Sequence, residues 1–182
     1  SKWDLQAIKQ KRMDIIQKQR TTATTKDGIL TIDDTGCPKP FAKQTEAAKW
    51  QYCGSLKRSE ICNVAVGAAF VSKAKHFPID VVPYLPADEF PEGKKDLHFK
   101  DKIQIAIELF DNALESFDFS ATSFDSWYSA KRFLEHIHAK ERIFYSEIKS
   151  NRNIFTYHPV KKKYCMVKPG ELVTLIKKHS WD

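Results

Sequence analysis

The chain has 182 residues, of which 42% are hydrophobic and 29% charged, with a formal net charge of +7. This length favours one domain with a sizeable core, and the composition is ordinary for a globular protein. No apolar run approaches the roughly 18 residues of a membrane span, and the start has no signal-peptide pattern, so we expect no membrane partner. The chain does not begin with methionine, which indicates a fragment or a trimmed chain.

Hydrophobic periodicity and turn residues predict a succession of helices and strands. Leu5, Ile8, Ile15 and Ile16 are expected to form the apolar side of the first helix. Pro83 limits its strand to an edge of the sheet. In chain order, the predicted elements are a helix over 2–20, strands over 29–32, 49–53, 61–71 and 79–85, a helix over 102–116, a strand over 117–124, a helix over 127–138, strands over 142–148, 154–157 and 164–167, and a helix over 171–178.

The order of these elements predicts a mixed α/β architecture. The first strands are joined as hairpins, and the later strands alternate with helices. Such an order gives a mixed sheet with helices on its faces.

Charge is distributed unevenly along the chain. Residues 1–26 carry a net charge of +5 and residues 140–182 a net charge of +6, whereas residues 27–139 carry −4. An acidic centre between basic ends suits a metal site whose flanks bind a polyanion, although Lys and Arg that merely solvate the surface explain the ends equally well. The cysteines, none in a Cys-x-x-Cys pair, are expected to be buried free thiols in a reducing cytosol; they are Cys37, Cys53, Cys62 and Cys165.

Aspartates follow two of the predicted strands. Asp33 and Asp34 end the strand over 29–32, and Asp125 follows the strand over 117–124. Carboxylates at strand ends lie at the rim of a sheet, where hard oxygen ligands can hold Mg²⁺. Spacing alone favours another interpretation, in which Asp33 and Asp34 form a turn and Asp125 caps a helix.

Four segments in order resemble the catalytic domain of insertion-sequence DDE transposases: LTIDDTGCPK, KWQYCG, YLPADEF and SFDSWYSAKRFLE. The resemblance runs from about Trp3 to beyond Asn153. It implies a ribonuclease H-like fold, with an N-terminal helical segment over 1–26, a catalytic core over 27–152 and the start of a β-rich insertion over 153–182. It also implies a cytoplasmic protein of prokaryotes, associated with the nucleoid when bound to DNA.

The resemblance further implies cleavage of the transposon end and transfer of the freed 3′ hydroxyl to target DNA, with a two-metal site of Mg²⁺ or Mn²⁺. Asp33 and Asp125 correspond to the first two catalytic acids and metal ligands, with Asp34 in reserve for the first position. DNA is then the partner, with a possible homodimer on paired transposon ends.

The family's third acid, a glutamate on a later helix, has no convincing counterpart. Glu147 is predicted in a strand, and Glu171 opens the predicted insertion. The expected explanation is that the chain is an N-terminal fragment. Two alternatives stay open: a catalytically incomplete nucleic-acid-binding module of the same fold, and another ribonuclease H-like nuclease.

Basic and aromatic residues around the predicted site are candidates for DNA contact. The ring of Trp127 or Tyr128 could stack on an unpaired base, although core packing is the simpler expectation for Trp127. For the lysines, solvation of the surface is an equal alternative. The basic candidates are Lys39, Lys43, Lys49, Lys57, Arg58, Lys149, Arg152, Lys161, Lys162 and Lys163.

Overall fold

The computed structural model describes residues 4–179, apart from the side chains of Gln6 and His179. The chain divides into two compact units, one ending at Tyr145 and the other beginning at Ser146. The predicted limits of the N-terminal segment, catalytic core and insertion stay predictions.

Twelve helices and strands make up the described chain. The first unit also contains two short 3-10 turns, at Ala87–Glu89 and Gly93–Lys95. In order, the elements are α1 (Leu5–Lys18), β1 (Ile29–Pro38), β2 (Lys49–Cys53), β3 (Arg58–Val71), β4 (His76–Tyr84), α2 (Lys102–Ser116), β5 (Ala121–Phe124), α3 (Lys131–Ala139), β6 (Ile143–Ser146), β7 (Ile154–His158), β8 (Lys163–Val167) and α4 (Pro169–His179).

Strand β1 lies in the middle of the main sheet, whose order is β2-β3-β1-β5-β6. It pairs antiparallel with β3 and parallel with β5. The long β3 pairs with β2 through its first residues and with β4 through the rest. The mixed α/β sheet with flanking helices is therefore confirmed and is consistent with a ribonuclease H-like fold.

Helices α2 and α3 share one core with β1 and β3. Helix α2 has the predicted bounds, because Asp101 caps it by accepting a hydrogen bond from the Gln104 amide at 2.9 Å. Apolar residues at helical spacing then face the sheet. The buried cluster includes Leu30, Ile32, Val66, Phe70, Ile105, Leu109, Phe110, Phe133 and Ile137.

The predicted apolar side of α1 is wrong in part. Leu5, Ile8 and Ile15 are 69%, 46% and 50% exposed, whereas Ile16 packs against the core together with Met13. Polar contacts hold α1 near β4: the Lys9 ammonium lies 2.8 Å from Asp80, and Arg12 donates to the Pro78 carbonyl at 3.2 Å. These contacts fix which side of the helix turns inward, and hydrophobic periodicity does not report them.

Strand β1 is longer than predicted. It pairs with β3 as far as Pro38, so Asp33 and Asp34 lie within the strand rather than in a turn at its end. On its other side the pairing with β5 stops at Ile32. Proline at the end of β1 is tolerated because only a ladder interior requires its missing N–H group.

The elements around Asp125 are shorter than predicted. Strand β5 begins at Ala121, because Ser120 donates through both its amide and its hydroxyl to the Gly28 carbonyl at 2.8 and 3.0 Å. Helix α3 begins at Lys131 rather than Trp127 because a separate turn follows Asp125. Strand β6 spans only Ile143–Ser146 of the predicted 142–148.

In the second unit, β7 and β8 form an antiparallel hairpin followed by α4. The ring of His158 is buried and its Nε2 lies 3.3 Å from the Glu171 carboxylate at the start of α4. Val167 and Leu175 are buried as well, so this unit has a small core of its own.

The four cysteines are free thiols, as predicted. Only Cys53 and Cys62 are buried, however; Cys37 is exposed and Cys165 is half-buried, because both lie in strands near the surface. Over residues 4–179, the helices are too short or too polar to cross a bilayer.

Candidate active site

An opening lies beside β1 where β5 ends. Ile32 and Phe124 are the last paired residues of these parallel strands, and Asp33 and Asp125 are the next residues of each. Neighbouring strands run about 4.8 Å apart, so this register brings the two aspartate backbones to the same edge. Asp34 follows on β1, and all three aspartates line one cleft of about 620 Å³.

The β2–β3 hairpin forms another wall of this cleft. Its turn folds onto β1, where the Ser55 hydroxyl donates to the Gly36 carbonyl at 2.8 Å. Gly36 is required for this approach, since a Cβ atom there would lie 2.7 Å from the Cys53 sulfur. The turn thereby sets Tyr52, Gly54, Ser55 and Lys57 along the cleft.

A single turn orients two of the carboxylates. Asp125 Oδ1 accepts hydrogen bonds from the amides of Trp127 at 2.8 Å and Tyr128 at 3.3 Å. The Tyr128 hydroxyl in turn donates to Asp34 Oδ1 at 3.3 Å. Asp125 is therefore a capping residue, as spacing alone suggested, but it caps this turn rather than helix α3. Because Tyr128 of the same turn contacts Asp34, the turn links the position of the Asp125 carboxylate to that of Asp34.

Asp33 and Asp34 differ in their surroundings. Strand alternation puts Asp34 on the face of buried Leu30 and Ile32, under α2, and sends Asp33 to the other face. The Asp33 carboxylate accepts a hydrogen bond from the adjacent Asp34 amide at 2.8 Å. Partial desolvation raises the pKa of Asp33, and the charges of Asp125 and Asp34 add to that rise.

The main residue that the sequence analysis missed is Lys102. Its ammonium lies 2.7 Å from Asp34 Oδ2, and its nitrogen is 5.3 Å from the centre of the Trp127 ring and 5.5 Å from that of Tyr84. Lys102 is the first residue of α2, where the helix dipole disfavours a cation. That unfavourable position was the available signal, because it implies a nearby negative charge.

Tyr128 is buried, so the prediction that its ring stacks on a base is wrong. Burial, followed by the negative charges of Asp34 and Asp33, raises the pKa of its hydroxyl, which keeps the hydroxyl a hydrogen-bond donor. Trp127, in contrast, is 44% exposed and lines the cleft, contrary to the expectation of core packing.

The donor set of the cleft fits a divalent cation. Carboxylate oxygens are the ligands that Mg²⁺ and Mn²⁺ prefer. The like charges that raise the pKa of Asp33 create a demand for positive charge, which the Lys102 ammonium meets at Asp34. Over residues 4–179, no group of three or more His, Cys, Asp or Glu side chains is arranged to hold a metal ion.

The predicted basic residues of the first unit are not equivalent. Lys57 lines the cleft. Lys49 is paired with Glu89 at 2.8 Å and with Asp88 at 3.7 Å, and Arg58 is paired with Glu60 at 3.1 Å. The remaining two, Lys39 and Lys43, are exposed near the end of β1. Of this set, only Lys57 lines the cleft that contains Asp33, Asp34 and Asp125.

The second unit holds the other predicted basic residues. Lys149 is half-buried, and Arg152, Lys161, Lys162 and Lys163 are exposed. Glu171 lies 3.3 Å from the His158 ring and 3.5 Å from the Lys161 ammonium, which already engage its carboxylate. Glu147 lies just after β6 rather than in a strand.

Known proteins with similar sequences indicate the family of the chain. A family model described as "DDE superfamily endonuclease" matches residues 1–172. A probable transposase for insertion sequence element IS701 from Microchaete diplosiphon is 29% identical over 158 residues, which are 85% of this chain and 40% of the relative. The chain thus spans less than half the length of that relative. No solved structure matches. The chain belongs to the DDE superfamily endonuclease family.

Proposed function

We propose that the chain is the part of a DNA transposase that supplies the first two carboxylates of its metal-dependent cleavage site. The whole enzyme would cut transposon-end DNA and join it to target DNA. The observation that carries this proposal is the coupling of Asp34 and Asp125 through the turn at Trp127 and Tyr128. Family membership and similarity to a transposase support it.

Asp34 and Asp125 are proposed as the direct metal ligands. Both carboxylates are oriented by hydrogen bonds from one turn, and such outer partners fix the geometry of metal ligands. Asp33, our first choice from sequence, is held only by the amide of its own neighbour. We therefore place it as a third carboxylate that adds negative charge to the cleft.

Mg²⁺ or Mn²⁺, when bound, would supply charge stabilisation at the reacting phosphodiester. The other cleft residues have separate roles in this proposal. Lys57 binds a phosphate of the DNA backbone, and Trp127 offers its exposed face to a base. Lys102 balances the charge of the Asp34 carboxylate and holds it in position before a metal binds. Pairing of two copies on DNA ends is part of the same proposal.

A plasmid-nicking assay tests this function. In the whole enzyme that contains this chain, Mn²⁺ is expected to support nicking of supercoiled DNA, and the Asp125→Asn variant is expected to lose at least about 100-fold of that rate, as removal of an essential catalytic group does. Asp111→Asn is the matched control, because Asp111 pairs with His136 at 2.8 Å outside the cleft. Wild-type nicking by Asp125→Asn in the whole enzyme would contradict the assignment.

A further inference from the structure

One face of the β7–β8 hairpin carries four large exposed side chains. Phe155, Tyr157, Tyr164 and Met166 are 64%, 39%, 66% and 62% exposed. Phe155 is paired with Met166 and Tyr157 with Tyr164 across the hairpin, so strand alternation puts all four on the same face. This face, called here the aromatic face, is distinct from the one that contains the buried His158.

The rings of the aromatic face are already arranged as a surface. Tyr164 lies in the middle: its ring centre is 5.7 Å from that of Phe155, with the planes 27° apart, and 5.5 Å from that of Tyr157. Phe155 and Tyr164 thus present nearly parallel planes. Large rings left this exposed do not stabilise the small core of the second unit, which points to a ligand or partner.

The charge around the aromatic face identifies the kind of ligand. Residues 146–179 contain eight Lys or Arg and only two Asp or Glu. Of three consecutive lysines, Lys161 and Lys162 lie in the connection between β7 and β8, whereas Lys163 begins β8 opposite His158 and so lies on the other face of the hairpin. Lys161 is 3.5 Å from Glu171, whereas no acidic partner of Lys162 or Lys163 is found among the described residues. A row of ring planes next to cations fits a polyanion with flat groups, namely a nucleic acid with unpaired bases.

We propose that the aromatic face binds single-stranded DNA, with bases stacked on Tyr164 and Phe155 and a backbone phosphate held by Lys162 in the connection between the strands. The proposed function decides the choice of DNA over RNA. The stacking itself needs neither Asp125 nor a metal, so it can be measured in EDTA. Failure of the stacking would leave the cleavage assignment untouched, and failure of cleavage would leave the stacking intact.

The test separates stacking from charge by comparing two ligands. One is a labelled oligothymidylate about 12 nucleotides long, and the other is an abasic strand of the same length and charge. Fluorescence anisotropy with the full chain in EDTA measures both affinities. The wild type is expected to bind the oligothymidylate at least about fivefold more tightly, the lower limit for one stacked base.

Variants at Tyr164 locate the effect. Tyr164→Leu is expected to reduce the preference for bases to less than about twofold, whereas Tyr164→Phe keeps the ring and the preference. Val173→Ala, at a 51% exposed position of α4, is the surface control and is expected to bind both strands as the wild type does. Phe155→Leu gives a second variant, with circular dichroism as the check of folding.

Three results would overturn the proposal. The first is a wild type that binds both strands equally, and the second is a Tyr164→Leu variant that keeps the full preference for bases. The third is a Tyr164→Leu variant that changes the oligomeric state in size-exclusion chromatography without changing the affinity for oligothymidylate. In that case the aromatic face would contact a second copy of the chain.

Discussion

Replacement of Lys102 by methionine probes the charge balance of the acidic cleft. The change keeps most of the side-chain length and removes the ammonium that lies 2.7 Å from Asp34. The Asp34 carboxylate then loses its cation while the charge of Asp33 remains beside it. The variant also removes the cation that lies over the Trp127 ring.

The expected loss of stability follows from the exposure of the pair. The side chains of Lys102 and Asp34 are 18% and 22% exposed, so the pair is neither fully buried nor at the surface. Exposed pairs contribute about 0–1 kcal/mol, and removal of one partner of a buried pair costs about 3–5 kcal/mol. A value of about 1–3 kcal/mol lies between them. A cation at the start of α2 is unfavourable for the helix dipole, so its removal regains about 0.3–1 kcal/mol of this loss. We therefore expect the free energy of unfolding to fall by about 1–2 kcal/mol in total.

Urea unfolding in EDTA and in Mg²⁺ measures this effect. In EDTA the variant is expected to unfold at lower urea concentration with an unchanged slope. Mg²⁺ should narrow the difference from wild type by about 1 kcal/mol, because it replaces the missing positive charge. Lys100→Met is the matched control: Lys100 pairs with Glu108 at 2.7 Å on the exposed surface, so its loss should stay below about 0.5 kcal/mol. The reasoning would be refuted by a Lys102→Met variant that is as stable as the wild type. It would also be refuted if Mg²⁺ stabilised the variant no more than it stabilises the wild type.

Three further predictions concern the walls of the cleft and its surroundings. Gly36→Ala should destabilise the protein by about 1–3 kcal/mol in thermal unfolding, because the new Cβ would lie 3.1 Å from the backbone Cα of Cys53; Gly67→Ala, whose nearest neighbour is 3.8 Å away, should change it little. Tyr128→Phe should cost about 0.5–1.5 kcal/mol and weaken Mn²⁺ binding about tenfold in calorimetry, since the hydroxyl donates to a carboxylate of the site. Burial raises the pKa of Cys62 to about 11, so in a thiol-labelling assay near pH 8 it should react only after unfolding.

Each of these predictions has a contrary result. Equal melting temperatures for Gly36→Ala and Gly67→Ala would show that the hairpin turn does not press on β1. Wild-type Mn²⁺ affinity in Tyr128→Phe would remove that hydroxyl from the site. Rapid labelling of Cys62 in the folded protein, at the rate of the exposed Cys37, would show that its thiol is not protected.

Local patterns predicted much of the fold. The periodicity of 102–116 predicted α2 with its correct bounds, and the order of elements predicted the mixed sheet. Strand β1 was predicted too short, because its last residues are held by pairing with β3 and not by their own β propensity. Which side of α1 turns inward depends on Asp80 and Pro78, which are distant in the sequence.

Of the candidate site, only the three aspartates could be predicted from the sequence. Asp33, Asp34 and Asp125 were chosen as carboxylates after apolar runs, and the parallel register of β1 and β5 places them in one cleft. Lys102 and the burial of Tyr128 could not be found in this way, because both depend on how α2 and the turn after β5 lie against β1.

Isothermal titration of Mn²⁺ into the full chain tests the central claim, that Asp34 and Asp125 form a metal site. We predict that Asp34→Asn and Asp125→Asn each weaken binding at least about tenfold, while Asp33→Asn weakens it less and Asp111→Asn leaves it unchanged. A Mn²⁺ affinity that is the same in Asp34→Asn, Asp125→Asn and the wild type would contradict the account.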